Sequence, residues 1–334
     1  MSETQAQLVK PGELYKILPN GQWEFFVDSS ALREFLDCES KFELRYIQRI
    51  MTRGREFKMD IGSWWSGTLE LYYNALRAGT LSKSDVVDFA SHVWDERKMD
   101  ELKIDSPKSF EDFGGKMGGV QMALEYYEWA SPLDTARWRI ISVEEGSGRL
   151  RELLVGETPH VKAYYIVKPD LFVVEDSVLT PIDHKTKDFI NPRLIHDYKP
   201  HLQTLGYVFA GQELSKSLGL DVQCDRTTIN VAARKIPKTK DSTKPRFMRF
   251  PVQYSVEQIT AWRTRVVRAC ERLRYCVENG IWAWNDNSCH KYAGCTYRPI
   301  HSQPEGSWPI IIQSSFIRGE PWIPYLTDGE RDDD

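Results

Sequence analysis

The sequence predicts an α/β fold with a mixed sheet flanked by helices, and three observations carry that expectation. From Ser29 to Ala130 apolar residues recur at helical spacing. From Trp138 to Lys185 the chain turns to runs rich in β-branched and aromatic residues, which suit strands. Beyond Pro192 helix and strand patterns alternate, but without a regular βαβ order.

Taken in order, Ser29 to Ile50 reads as an amphipathic helix or helix pair. Ser29 or Ser30 is its N-cap candidate, and Leu32, Phe35, Leu36, Phe42, Leu44 and Tyr46 form its apolar face. A second helical region starts near Ile61 and stops at Gly79; Ser82 to Arg97 and Lys108 to Ala130 continue the helical part. Trp138–Val143, Val161–Val174 and Val178–Lys185 are the predicted strands, the last two joined by the polar turn Glu175-Asp176-Ser177. Pro192–Leu218 returns to helix, Thr227–Ala233 and Arg246–Tyr254 read as strands, and Ser255–Asn279 is a long helix. With no internal repeat and no obvious linker, the expectation is a single domain over 1–334. It divides into a helical region (29–135), a sheet core (136–254), a helix with a Cys/His segment (255–301) and a tail (302–334).

The 334 residues are 41% hydrophobic and 12% aromatic, enough for a packed core, which excludes wholesale disorder. No stretch approaches the ~18 apolar residues of a membrane span. The start, MSETQAQLVKPGELYK, lacks an apolar signal core, and six Cys in so long a chain are no disulfide framework. A cytoplasmic, membrane-free setting is therefore expected. The formal charge of −4 argues mildly against nucleic acid, but its distribution softens that. Between Arg226 and Arg249 eight basic residues face one acid, Asp241, for a local +7. A second basic cluster runs from Lys41 to Lys58, and a third is Arg263, Arg265, Arg268, Arg272 and Arg274 on the long helix. The acidic tail after Leu326 has the opposite sign. Each basic cluster alone also fits a solvated face; three together on an acidic chain point to a sign-segregated surface.

The chemistry concentrates between Val167 and Lys187. Residues two apart on a strand share a face, so Asp183 and Lys185 project together while Ile182 and His184 turn away. The preceding strand brings Asp170, expected near its middle, to the same spot. Converging carboxylates repel unless a cation lies between them, and Mg²⁺ or Mn²⁺ with oxygen ligands meets that need. The backbone carbonyl of His184 is a further natural ligand, and Lys185 is placed to orient water or stabilise a phosphate charge. A single Asp-x-Lys more often marks a surface ion pair; here the acids follow apolar residues on two adjacent strands. Downstream, Gln203 and Tyr207 lie four apart on one helical face.

Asp170, Asp183-His-Lys185 and Gln203-xxx-Tyr207 together resemble the RecB-type branch of the PD-(D/E)xK nucleases. That branch includes bacterial recombination nucleases, CRISPR-adaptation exonucleases and phage proteins. The resemblance covers roughly Ser29 to His301, and its specific part is Val161 to Tyr207. It implies a restriction-endonuclease-like αβββαβ core with a helical N-terminal embellishment and a C-terminal Cys-containing segment. It also implies a metal-dependent DNA nuclease of exonuclease or processing type, and protein partners in recombination or phage replication. One element departs: in Gly62-xxx-Ser66-xxx-Glu70, Ser66 stands where the family carries His. Glu70 is a further metal-ligand candidate, or an exposed helix acid. The serine favours the alternative, a catalytically inactive DNA-binding or assembly module that retains the fold.

Many RecB-type proteins hold a [4Fe–4S] cluster through one early and three late cysteines. The resemblance places Cys38, Cys289 and Cys295 at three such positions and His301 at the fourth. Three Cys and one His suit Zn²⁺ equally, and leftover thiols are the third reading. Cys270 and Cys276, six apart on a helix, cannot chelate together. For single- or double-stranded DNA, the contact candidates are Arg234, Lys235, Lys238 and Lys240 in the basic stretch. Trp64 and Trp65 offer base stacking, although a core or interface role is expected of them.

Overall fold

The residues described by the computed structural model are 14–53, 57–143, 152–191, 193–198, 201–235, 245–290 and 294–319. The acidic tail after Leu326 lies outside them. In chain order the first strands are β1 (Tyr15–Ile17), β2 (Trp23–Val27), β3 (Ile50–Thr52), β4 (Arg139–Val143), β5 (Leu153–Glu157) and β6 (Val161–Tyr165). They continue with β7 (Leu171–Glu175), β8 (Val178–Lys187), β9 (Arg226–Ala233), β10 (Phe247–Gln253) and β11 (Phe316–Arg318).

The chain contacts resolve into two compact units. One takes Met1–Arg53, Leu150–Val167 and Glu257–Asp334; the other takes Gly54–Arg149 and Lys168–Val256. The second carries the five-stranded sheet, in the order β10-β9-β8-β7-β4. Its β8 and β9 are parallel, and every other neighbour is antiparallel. A helix (Gly115–Arg137), then β4, β7 and β8, a helix (Leu202–Ser217) and β9 follow in sequence. This is the expected αβββαβ core with a mixed sheet. Parallel pairing requires a crossover longer than a hairpin, and Leu202–Ser217 supplies it.

The central strands are buried almost throughout, so they read as apolar runs rather than as an alternation. Helix Phe57–Ala78 buries Ile61, Trp65, Thr68 and Tyr72, spaced three to four apart, along one stripe. Trp64 and Trp65 are both buried, and the Trp64 indole N–H donates to Ala90 O at 3.0 Å. They are core residues, so base stacking is not their role. Ser82 and Asp85 form a capping box that starts the helix Lys83–Glu96.

In the other unit β1-β2-β6-β5 form a four-stranded sheet, with β2 and β6 parallel. The long helix Val256–Asn279 packs Trp262 edge-on against Tyr165, ring centres 5.0 Å apart. A ribbon of β3 and β11 covers a small core of Leu44, Ile50, Tyr297, Ile300 and Phe316. Among the described residues no helix is long and apolar enough to cross a membrane.

Two expectations of continuity fail for reasons of chain chemistry. The run Val161–Val174 is two strands, β6 and β7, belonging to different sheets. Pro169, between them, has no amide hydrogen to offer a neighbouring strand. Asp170 therefore sits at the bend just before β7 and not mid-strand. The helix expected over Pro192–Leu218 is likewise two, Leu194–Asp197 and Leu202–Ser217. Pro200 lies between them in the sequence.

Helix Leu202–Ser217 approaches the sheet closely because residue 211 is Gly. A Cβ there would overlap the Cys224 sulfur and touch the Phe172 ring at 3.5 Å. Gly211→Ala is expected to destabilise the fold by about 1–3 kcal/mol through overpacking. That outweighs the gain of up to about 1 kcal/mol in helix propensity. Adding Cys224→Ala should recover part of the loss. Urea denaturation midpoints of the three variants check this; a more stable Gly211→Ala contradicts the close approach.

Candidate active site

Asp183 lies on β8, only 1% exposed. Its Oδ1 accepts from Lys185 Nζ at 2.7 Å and from the Tyr207 hydroxyl at 3.3 Å. Its Oδ2 is buried and has no hydrogen-bond partner among the described residues. Burying a carboxylate oxygen that way is costly. The strand's period of two puts Lys185 on the same face, where it remains 28% exposed.

Asp170 is fixed from two directions. Its Oδ2 accepts the backbone N–H of His184 at 2.5 Å, tying the bend before β7 to β8. Its Oδ1 accepts from the Ser66 hydroxyl at 3.2 Å. The serine at the family's His position thus reaches the site as a hydrogen-bond donor to an acid. Glu70 lies one turn further along the same helix, half-buried.

Gln203 and Tyr207 act in series. Gln203 Nε2 donates to the Tyr207 oxygen at 2.7 Å, which leaves the phenol's single proton for its own acceptors. Asp183 Oδ1 at 3.3 Å and Lys168 O at 3.4 Å both lie within reach of it. The geometry brings Asp170, Asp183, Lys185, Gln203 and Tyr207 together, and the tyrosine touches the acid rather than the lysine.

The His184 side chain turns away, as its alternation requires. Its ring stacks on Tyr73 with centres 5.4 Å apart and planes 4° from parallel. Burial first, then the charges of Arg249 and Lys185, hold its imidazole well below its ordinary range, so it stays neutral. The tautomer follows from its partners. Arg249 only donates, and its Nε binds Asn230 Oδ1 at 3.1 Å, which fixes the amide. Asn230 Nδ2 then donates to His184 Nδ1 at 2.8 Å, and the ring proton sits on Nε2. Only the backbone of His184 is left to serve a metal.

Behind His184 the network continues. Arg249 donates to Asp134 with both terminal nitrogens, and also to Tyr73 (3.0 Å) and Tyr126 (2.7 Å). Its guanidinium lies 4.2 Å from the Trp138 ring centre. Sequence reasoning missed this network. The signal for it was Asn230, a lone amide in the apolar strand Arg226–Ala233.

The described arginines of the basic stretch are engaged internally. Arg234 is buried and pairs with Asp188 at 2.5 Å, while Arg246 meets Glu125 at 3.2 Å. Lys235 lies 4.0 Å from Asp112 and 3.9 Å from Asp188. Lys238 and Lys240 lie outside the described residues.

The cysteine set falls within the other unit. Cys38 and Cys289 are buried and Cys295 half-buried, and burial pushes the Cys295 thiol up. Cys289 Sγ accepts from the Trp284 indole at 3.4 Å, and the His301 ring packs against Trp284 and Trp308. Among the described residues no three His, Cys, Asp or Glu side chains are placed to hold a metal ion. At Asp183 the buried, unpartnered Oδ2 is the kind of donor a divalent cation satisfies.

No curated protein matches the chain. Among solved structures it is similar to a phage-related exonuclease from Haemophilus somnus 129PT. The identity is 15%, over 47% of this chain and 72% of that one, and the TM-score of 0.19 is too low to carry an argument. The model of the PD-(D/E)XK nuclease superfamily matches residues 29–300, well over half the chain and the whole of the core described above. On that match the chain belongs to the PD-(D/E)XK nuclease superfamily.

Proposed function

We propose that the chain is a divalent-metal-dependent deoxyribonuclease of exonuclease or DNA-processing type. The observation that carries this reading is the division of labour at Asp183. One oxygen is held by Lys185 and Tyr207, and the other is buried and left over. Asp170 and Asp183 are the proposed carboxylate ligands, with the His184 carbonyl and Glu70 as further candidates. Mg²⁺ or Mn²⁺ bound there neutralises the paired acids, lowers the pKa of water and offsets charge on a phosphate.

The remaining steps belong to the chain. Lys185, anchored 2.7 Å from Asp183 Oδ1, keeps its ammonium at the edge of the site, where it orients a nucleophilic water or meets the scissile phosphate. Tyr207, fixed by Gln203, holds Asp183 in one rotamer. Ser66 and the His184 amide do the same for Asp170, so both carboxylates are set before substrate arrives. This support for Asp170 favours the enzyme over an inactive module. A DNA substrate is consistent with the family.

Asp183→Ala and Lys185→Ala should each lower Mn²⁺-dependent cleavage of end-labelled DNA by about 10²–10⁴-fold, with circular dichroism unchanged. EDTA should abolish cleavage by the wild type. Undiminished digestion by both purified variants refutes the assignment.

Metal binding has a second readout. At about 100 times its dissociation constant, Mn²⁺ should stabilise the folded chain by about 2.7 kcal/mol, seen as a rise in thermal midpoint. Asp183→Asn, which keeps the shape and removes the charge, should abolish that rise. A rise unaffected by the substitution places the ion elsewhere.

A further inference from the structure

The five arginines of the long helix have different fates. Arg263 donates to Val155 O at 2.8 Å, Arg274 to Glu278 at 2.7 Å, and Arg272 binds Glu39 through two bonds of 2.8 and 2.9 Å. Arg265 and Arg268 are exposed and have no acidic partner among the described residues. Three residues apart, they point from neighbouring turns of one helix face, and Arg272 extends the row. All three line a cleft of about 630 Å³.

The same cleft is lined by Trp284, whose side is the opposite of a buried indole: it is 61% exposed. The ring is nevertheless held. Its N–H donates to Cys289 Sγ at 3.4 Å, and the ring packs against His301 at 5.5 Å. His301 in turn meets Trp308 edge-on at 5.7 Å. An aromatic fixed at its edge and open to solvent is a pre-organised stacking surface, with little left to order on binding. A solvated helix face explains the arginines alone, but not a pinned, exposed tryptophan in the same cleft. Exposed Leu36 adds apolar surface to the wall.

We propose that this cleft binds single-stranded nucleic acid, with backbone phosphates on Arg265 and Arg268 and a base stacked on Trp284. The inference rests on the reading of the chain as acting on DNA, and adds the form of strand it engages. Guanidinium groups meet phosphate through paired N–H bonds, and one helical turn separates the two. Stacking needs an unpaired base, so the tryptophan favours a single strand over a duplex.

The test is binding of the full chain to a fluorescent oligothymidylate in EDTA, so that no cleavage follows, read by anisotropy at several salt concentrations. For Arg265→Ala/Arg268→Ala, affinity should fall and the slope of log affinity against log salt should shrink by about 1.4. Arg265→Lys/Arg268→Lys should keep that slope. Trp284→Ala should lose about five- to 150-fold in affinity for the single strand and leave duplex binding unchanged, while Trp284→Phe retains most of it. Unchanged affinity and slope in the alanine pair overturn the proposal. An equal loss on duplex and single strand with Trp284→Ala also overturns it. The outcomes separate from those of the nuclease reading. A chain that binds as described but never cleaves refutes only the nuclease, and one that cleaves while its binding ignores these variants refutes only the cleft.

Discussion

The site depends on holding one buried carboxylate, Asp183, in one orientation. Its burial opposes charge, so something must compensate it. Lys185 and Tyr207 compensate one oxygen from within the chain. If they satisfied both, the acid would be a finished structural ion pair with nothing to offer a cation. Because they satisfy one, the fold holds a carboxylate with one oxygen bound and the other left over. The strand period, the helix spacing of Gln203 and Tyr207, and the close approach at Gly211 all serve that arrangement.

Rigidity reaches Asp183 from behind as well as from its own face. His184, the residue between the acid and the lysine, has its ring locked by Tyr73 and Asn230, while its amide holds Asp170. Asn230 is oriented by Arg249, which is in turn anchored on Asp134. Tyr126 accepts from both Asn230 and Arg249, so its proton is left for Tyr73, which passes its own to Asp134 at 3.0 Å. A buried polar network connected in this way favours one geometry, and a half-satisfied one would loosen it.

Part of this was legible in the sequence. Asp-x-Lys on an apolar strand and Gln-xxx-Tyr on a helix are local patterns, and the periods of strand and helix alone place each pair on one face. The αβββαβ order was legible for the same reason. Asp170 was found but misplaced, because the break at Pro169 separates two strands that belong to different sheets. The Arg249 network was not legible, since its members come from helices and strands as much as 176 residues apart. At position 66 the sequence shows only a serine where the family carries histidine. The structure gives its hydroxyl a partner, Asp170, and that contact spans 104 residues of chain.

Charge shows why residue counts mislead. The basic stretch Arg226–Arg249 has a net charge of +7. In the fold, Arg226, Arg234, Arg246 and Arg249 each face an acid, at Asp225, Asp188, Glu125 and Asp134. A charge already paired within the chain contributes little to attracting a phosphate, wherever it lies in the sequence. What attracts is an exposed cation without a partner, and such groups are identified only after the acids have been assigned. On the long helix that sorting leaves two arginines out of five. The partition between internal pairs and open cations, rather than the −4 of the whole chain, governs how a polyanion meets this protein.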